Sequence, residues 1–139
     1  MTDPATSTPR SDGLPARESR APSDERAPLA VARRVVEAAE DKKAADIVLL
    51  ELGELTTVAD YFVICSGGSE RQIDAIADGV LATLRDDGVR PIGREGTPES
   101  HWVLLDFGAV IVHVFTPPER DFYQLERHWS QAKTILRVQ

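Results

Sequence analysis

The chain has 139 residues, 42% of them apolar and 28% charged, enough for one globular domain with a real core. A formal net charge of −7 withholds the general attraction for nucleic-acid phosphates and makes a basic protein the easier partner. Cys65 is the only cysteine, which excludes an internal disulfide and any multi-cysteine zinc site. No apolar run approaches the ~20 residues of a membrane span, so the reading is a membrane-free protein of the reducing cytoplasm.

Residues 1–27 hold Pro4, Pro9, Pro15 and Pro22 among many Ser, Thr and Ala, with few large apolar side chains. Such a stretch cannot bury enough surface to offset its ordering entropy, and a disordered N-terminal tail is expected. It lacks the apolar core of a signal peptide, and Asp3, Asp12, Glu18, Asp24 and Glu25 argue against an organelle transit peptide. The folded domain is expected over residues 28–136.

Pro28 opens a predicted helix over about 28–43, with Val31, Val35 and Ala39 four residues apart. Asp46–Leu52 is too short and too evenly apolar for an amphipathic helix and reads as a buried strand; Tyr61–Cys65 reads as a second. Ser69 and Gln72 have the spacing of a capping box. Ile73, Ile76, Ala77, Val80, Leu81 and Leu84 then recur at helical intervals until Gly88. A brief strand is expected at Val89–Ile92, followed by a polar loop. Trp102–Phe107 and Val110–Phe115 read as strands joined at Gly108. Thr116 before Pro117 and Pro118 is expected to cap a last helix carrying Phe122, Leu125 and Trp129. The order is α-β-β-α-β-β-β-α, an α/β fold with a mixed sheet of about five strands covered by helices.

No catalytic residues, metal ligands or cofactor site emerge from this pattern. Gly67-Gly68-Ser69 lies between a strand and a helix, where free amides favour anions, and nucleotidyltransferases open in a similar way. They also need two carboxylates on a strand to hold magnesium, whereas Asp74 and Asp78 fall four apart within a helix. A tight turn with a cap accounts for these glycines. His101, His113 and His128 have no metal-ligand spacing, and Cys65 ends an apolar strand, where a buried thiol is commonplace. Arg33-Arg34 and Lys42-Lys43 are diluted by neighbouring acids, so no direct, sequence-specific nucleic-acid contact is expected. Six aromatics between Trp102 and Trp129 remain, more than a short hairpin and one helix must bury, and such residues anchor interfaces. Along the strand, Trp102, Leu104 and Asp106 point one way and Val103, Leu105 and Phe107 the other.

Two groups of residues carry a resemblance. The first is Ala59-Asp60-Tyr61-Phe62-Val63-Ile64-Cys65-Ser66-Gly67 followed by Ser69-Glu70-Arg71-Gln72. The second is Arg94-Glu95-Gly96, Trp102 to Gly108, Val110 to Phe115 and Arg120-Asp121-Phe122-Tyr123-Gln124-Leu125-Glu126. In order and spacing they resemble the signatures of the ribosomal silencing factor family, also called Iojap-like, over about 30–135. The resemblance implies a nucleotidyltransferase-like α/β domain without catalytic acids, hence no enzyme. It implies docking on the large ribosomal subunit through large-subunit ribosomal protein 14, obstruction of subunit joining, and repression of translation when nutrients are scarce. Carried over by position, Trp102, Leu105, Asp106 and Phe107 would form the partner surface, with Arg71, Arg120 and Tyr123 as further candidates. Ala109 stands where the family usually has an acid, and His128 where it usually has an aliphatic residue. A docking face of this kind could also close on a second copy when no ribosome is present. The competing readings are a minimal nucleotidyltransferase or phosphate-binding protein built on Gly67–Ser69, and a large-subunit assembly factor.

Overall fold

The structure is a computed structural model and describes residues 27–139. All but the last residue of the expected tail therefore lies outside the described residues. In chain order the elements are α1 (Pro28–Asp41), β1 (Ala45–Glu51), β2 (Tyr61–Ser66), α2 (Glu70–Asp86) and β3 (Gly93–Thr97). They continue with β4 (Trp102–Asp106), β5 (Val110–Phe115), α3 (Pro117–Tyr123), α4 (Leu125–His128) and β6 (Lys133–Val138). The strands form one six-stranded mixed sheet in the order β3-β4-β5-β2-β1-β6. Only β2 and β5 run parallel, and the connection between them contains α2 and the β3–β4 hairpin. No helix among the described residues is long and apolar enough to cross a membrane.

Side-chain alternation divides the core between two faces of this sheet. Ile47, Leu49, Val63, Cys65, Val103, Leu105, Val112 and Val114 pack with Val35, Ala39, Ile73, Ile76 and Val80 of α1 and α2. Val48, Leu50, Phe62, Ile64, Ile111 and Phe115 point to the opposite face, where Leu125, Trp129 and Ala132 cover part of them. The helix stripes read from the sequence are thus the seal of the first face. The second face is closed only by the short segment that follows β5.

Three expectations are corrected. The strand expected at Val89–Ile92 lies instead at Gly93–Thr97. Its intrinsic strand propensity is poor, with Gly93, Gly96 and charged residues between, so pairing with β4 rather than local preference creates it. Gly96 is required there: its φ is +81°, and a Cβ would collide with the Trp102 carbonyl oxygen. The single last helix is two, because Gln124 adopts a left-handed conformation (φ 53°, ψ 45°) between α3 and α4. The chain then ends in a sixth strand that pairs antiparallel with β1. β6 is an edge strand with half-exposed residues, and no glycine or proline separates it from the helix before it, so the usual punctuation is missing.

Local capping also differs from the sequence pattern. Ser69 Oγ accepts from the Gln72 amide at 3.1 Å, but the Gln72 side chain reaches back one residue further, accepting from Gly68 N–H at 2.7 Å. Thr116 makes no capping hydrogen bond, and its hydroxyl is buried without a partner. The first turn of α3 is set by Pro117 and Pro118 instead.

Candidate functional site

The open part of the second sheet face is built on Trp102 at the start of β4. Its indole stacks on Phe115 of β5, with ring centres 4.8 Å apart, and lies against Tyr123 of α3 at 4.6 Å. Cross-strand pairing of Trp102 with Phe115 and of Leu104 with His113 puts these four side chains in register. Trp102 Nε1–H donates to His113 Nδ1 at 3.2 Å, which fixes the indole plane. Burial pushes the His113 imidazole down to about 4, so it is neutral at physiological pH and its Nδ1 is available as acceptor. Its proton then resides on Nε2, which is buried without a hydrogen-bond partner. Phe62 meets the same imidazole edge-on at 4.7 Å, and Trp129 meets Phe62 edge-on at 5.5 Å.

This aromatic row passes from covered to open. Phe62 and Phe115 are buried, Trp102 and Leu104 are half-buried, and Tyr123 and Phe122 are 44% and 76% exposed. Beside Trp102, Leu104 and Tyr123 lies a hollow of about 220 Å³, lined also by Glu95, Gly96 and Ser100. An apolar floor with an acid at its rim favours a partner that brings both apolar and basic groups.

The expected partner-surface residues fall into three places. Trp102 and Tyr123 sit on this face, in contact with each other. Asp106 shares the face but turns inward to the hairpin, its Oδ1 accepting from Gly108 N–H at 2.8 Å. Leu105 and Phe107 do not fit a partner surface: they are 0% and 7% exposed and belong to the helix-covered core, because alternation in β4 sends them to the other side. Arg71 is exposed on the first turn of α2, in the helix layer. Arg120 is nearly enclosed. Its guanidinium donates to both carboxylate oxygens of Glu126 at 2.9 and 2.8 Å, to the Asp46 carbonyl at 2.6 Å and to Ser66 Oγ at 2.8 Å. That hydrogen-bonded pairing holds the Glu126 carboxyl below its usual range despite partial burial. Leu104 and Glu95 were not among the expected site residues. The alternation of β4 marks Leu104 as a companion of Trp102, whereas Glu95 joins it only through the register of a glycine-rich strand.

Two amides of the Gly67–Ser69 turn that could meet a phosphate are already taken within the chain. Gly67 N–H donates to the Phe115 carbonyl at 2.9 Å, and Gly68 N–H is occupied by Gln72 Oε1. A Cβ on Gly67 would stand 2.9 Å from Ile73 Cγ2, so close strand–helix packing explains this glycine. Asp74 and Asp78 bind Arg94 at 3.2 and 3.3 Å, tying α2 to the edge strand β3. Cys65 is fully buried, and burial pushes its thiol up to about 12, well away from a thiolate nucleophile. Among the described residues no group of three or more His, Cys, Asp or Glu side chains could hold a metal ion.

The sequence model of the family described as "Ribosomal silencing factor during starvation" matches residues 24–139. A ribosomal silencing factor of Halalkalibacterium halodurans is 41% identical over 100 residues, which are 72% of this chain and 86% of that protein. One from Bacillus subtilis is 43% identical over 95 residues, covering 68% of this chain and 80% of its own length. The crystal structure of a Chromobacterium violaceum protein superimposes with a TM-score of 0.71 at 37% identity, over 73% of this chain and 85% of that one. With the family model spanning the whole described domain and these relatives covering most of it, the chain belongs to the ribosomal silencing factor family.

Proposed function

We propose that the chain represses translation by docking the open half of its second sheet face on large-subunit ribosomal protein 14, so that its bulk keeps the small subunit from joining. The observation that carries this reading is the aromatic row ending in half-exposed Trp102, Leu104 and Tyr123 beside the largely exposed Phe122. Such anchors, left uncovered around a shallow hollow, are what a protein partner buries. The net charge of −7 adds selectivity, because ribosomal RNA phosphates repel the chain while a basic ribosomal protein attracts it. The action is that of a bound obstacle in the cytoplasm under nutrient limitation, with no chemical step.

The test is a sucrose gradient of purified large and small subunits with added protein. Wild-type protein is expected to shift joined ribosomes toward free subunits and to travel with the large one. Trp102→Ala and Tyr123→Ala together are expected to restore joining. Co-migration with the large subunit and undiminished joining would instead support an assembly role. Saturable binding of ATP or CTP with magnesium would support the nucleotidyltransferase reading.

A further inference from the structure

The residues around Arg120 carry more than the stability of a loop. The chain leaves β5, makes one short helix, reverses at Gln124 and makes another. Tyr123, which lies on Trp102, immediately precedes that reversal, and Trp129, which lies on Phe62, follows it. Gln124 is not glycine, and its left-handed backbone is strained unless its surroundings hold it. Arg120 and Glu126 bracket it and are joined by two parallel hydrogen bonds, the planar fork geometry that only arginine offers a carboxylate. The same guanidinium reaches out of the segment to the Asp46 carbonyl, and Asp46 is itself left-handed (φ 50°), at the irregularity where β1 meets β2. A further bond to Ser66 Oγ fixes the end of β2. One side chain, 11% exposed, therefore fastens the α3–α4 corner to the ends of two central strands.

We infer that Arg120 is a positioning residue for the docking face: it touches no partner, and together with Glu126 it holds Tyr123 against Trp102 so that the aromatic row is presented preassembled. The inference rests on the docking face proposed above. Its physical basis is that a surface arranged before binding loses less freedom on binding than one that must be ordered by its partner. With four of its donors engaged inside the chain, Arg120 has little left to offer outside it. Lysine would keep the charge and lose the fork, so charge and positioning separate cleanly at this site.

The test uses the full chain with Arg120→Lys and, as a neutral and nearly isosteric second variant that keeps the fold within reach, Glu126→Gln. The two tryptophans give two indole N–H signals in a nitrogen–proton NMR spectrum, assigned by Trp129→Phe. Both variants are expected to shift the Trp102 indole signal and speed its exchange with water. Arg120→Lys is expected to weaken binding to large subunits by about tenfold or more, yet by less than about threefold when Tyr123 is already alanine, because the two changes remove the same arrangement. An unmoved Trp102 signal, or a loss of the same size in the Tyr123→Ala background, would overturn the inference and leave Arg120 as a direct contact or a general stabiliser. Full binding by Trp102→Ala and Tyr123→Ala would instead overturn the docking face itself. The indole signal would then still report whether Arg120 holds Tyr123.

Discussion

On one side of the sheet, Val63, Cys65, Leu105 and Val112 lie beneath two amphipathic helices and are fully enclosed. On the other, the same strands turn Phe62, His113 and Trp102 toward a segment of two short helices that covers them unevenly and leaves Tyr123 and Phe122 in the open. The first side is sealed by long elements with continuous apolar stripes. The second is sealed by large aromatic side chains leaning on one another, with polar ends that must find partners. The contrast separates a face sealed by helices from one left partly open: parity decides which face a strand residue joins, and the neighbours Leu104 and Leu105 lie on opposite faces, one half-buried and the other fully enclosed.

Changes on the sealed side should act on stability and leave recognition intact. Leu105→Ala should lower the unfolding free energy by about 2–5 kcal/mol, measured by urea denaturation, with unchanged affinity for large subunits per folded molecule. A binding defect beyond the unfolded fraction would place Leu105 in the partner surface after all.

The buried imidazole gives the second side a pH signature. His113 titrates at about 4 in the folded chain against 6.5 when free, so its neutral form is favoured by folding. Its contribution is complete above pH 6.5. As the pH falls further, the unfolded chain takes up a proton that the folded chain refuses, and about 3 kcal/mol is lost by pH 4. Unfolding followed across that window should show a steeper decline in wild type than in His113→Phe. Parallel curves would mean that the imidazole is not buried as described.

Trp102→Ala should reveal the reverse of Leu105→Ala. Because the indole is half-exposed, binding to large subunits should weaken by roughly 30-fold or more, on the order of 2 kcal/mol, as for an interface anchor. Calorimetric titration would check this, and equal affinity would exclude Trp102 as an anchor. The smallest effect is expected at the clamp between α2 and β3. Arg94→Ala removes two exposed ion pairs and should change stability by less than about 1 kcal/mol, an effect that should fade in high salt.

Much of the first face was legible in the sequence because its signals are local: the stripe through Ile73, Ile76 and Val80 and the apolar run of β1 require no knowledge of distant residues. The second face depends on non-local facts. β3 exists because β4 accepts its glycines, β6 because β1 offers an unpaired edge, and the break at Gln124 because Arg120 and Glu126 close around it. The aromatic density of the last third was legible in the sequence, but not that Trp102 and Tyr123 meet on one partly open face. Leu105 and Phe107 share a sequence string with Trp102, yet strand alternation sends them inward to the helix-covered core. Arg120, read as a surface candidate, proves to be nearly enclosed, and no local pattern reports a bond to a carbonyl 74 positions away.

The most direct test of which face docks is side-chain footprinting of the chain, free and on large ribosomal subunits. Bound protein should show protection of Trp102, Leu104, Phe122 and Tyr123, with Arg33, Glu37 and Arg85 on the helix layer as reactive as in the free chain. Protection of the helix layer with an unchanged Trp102 and Tyr123 would contradict the account.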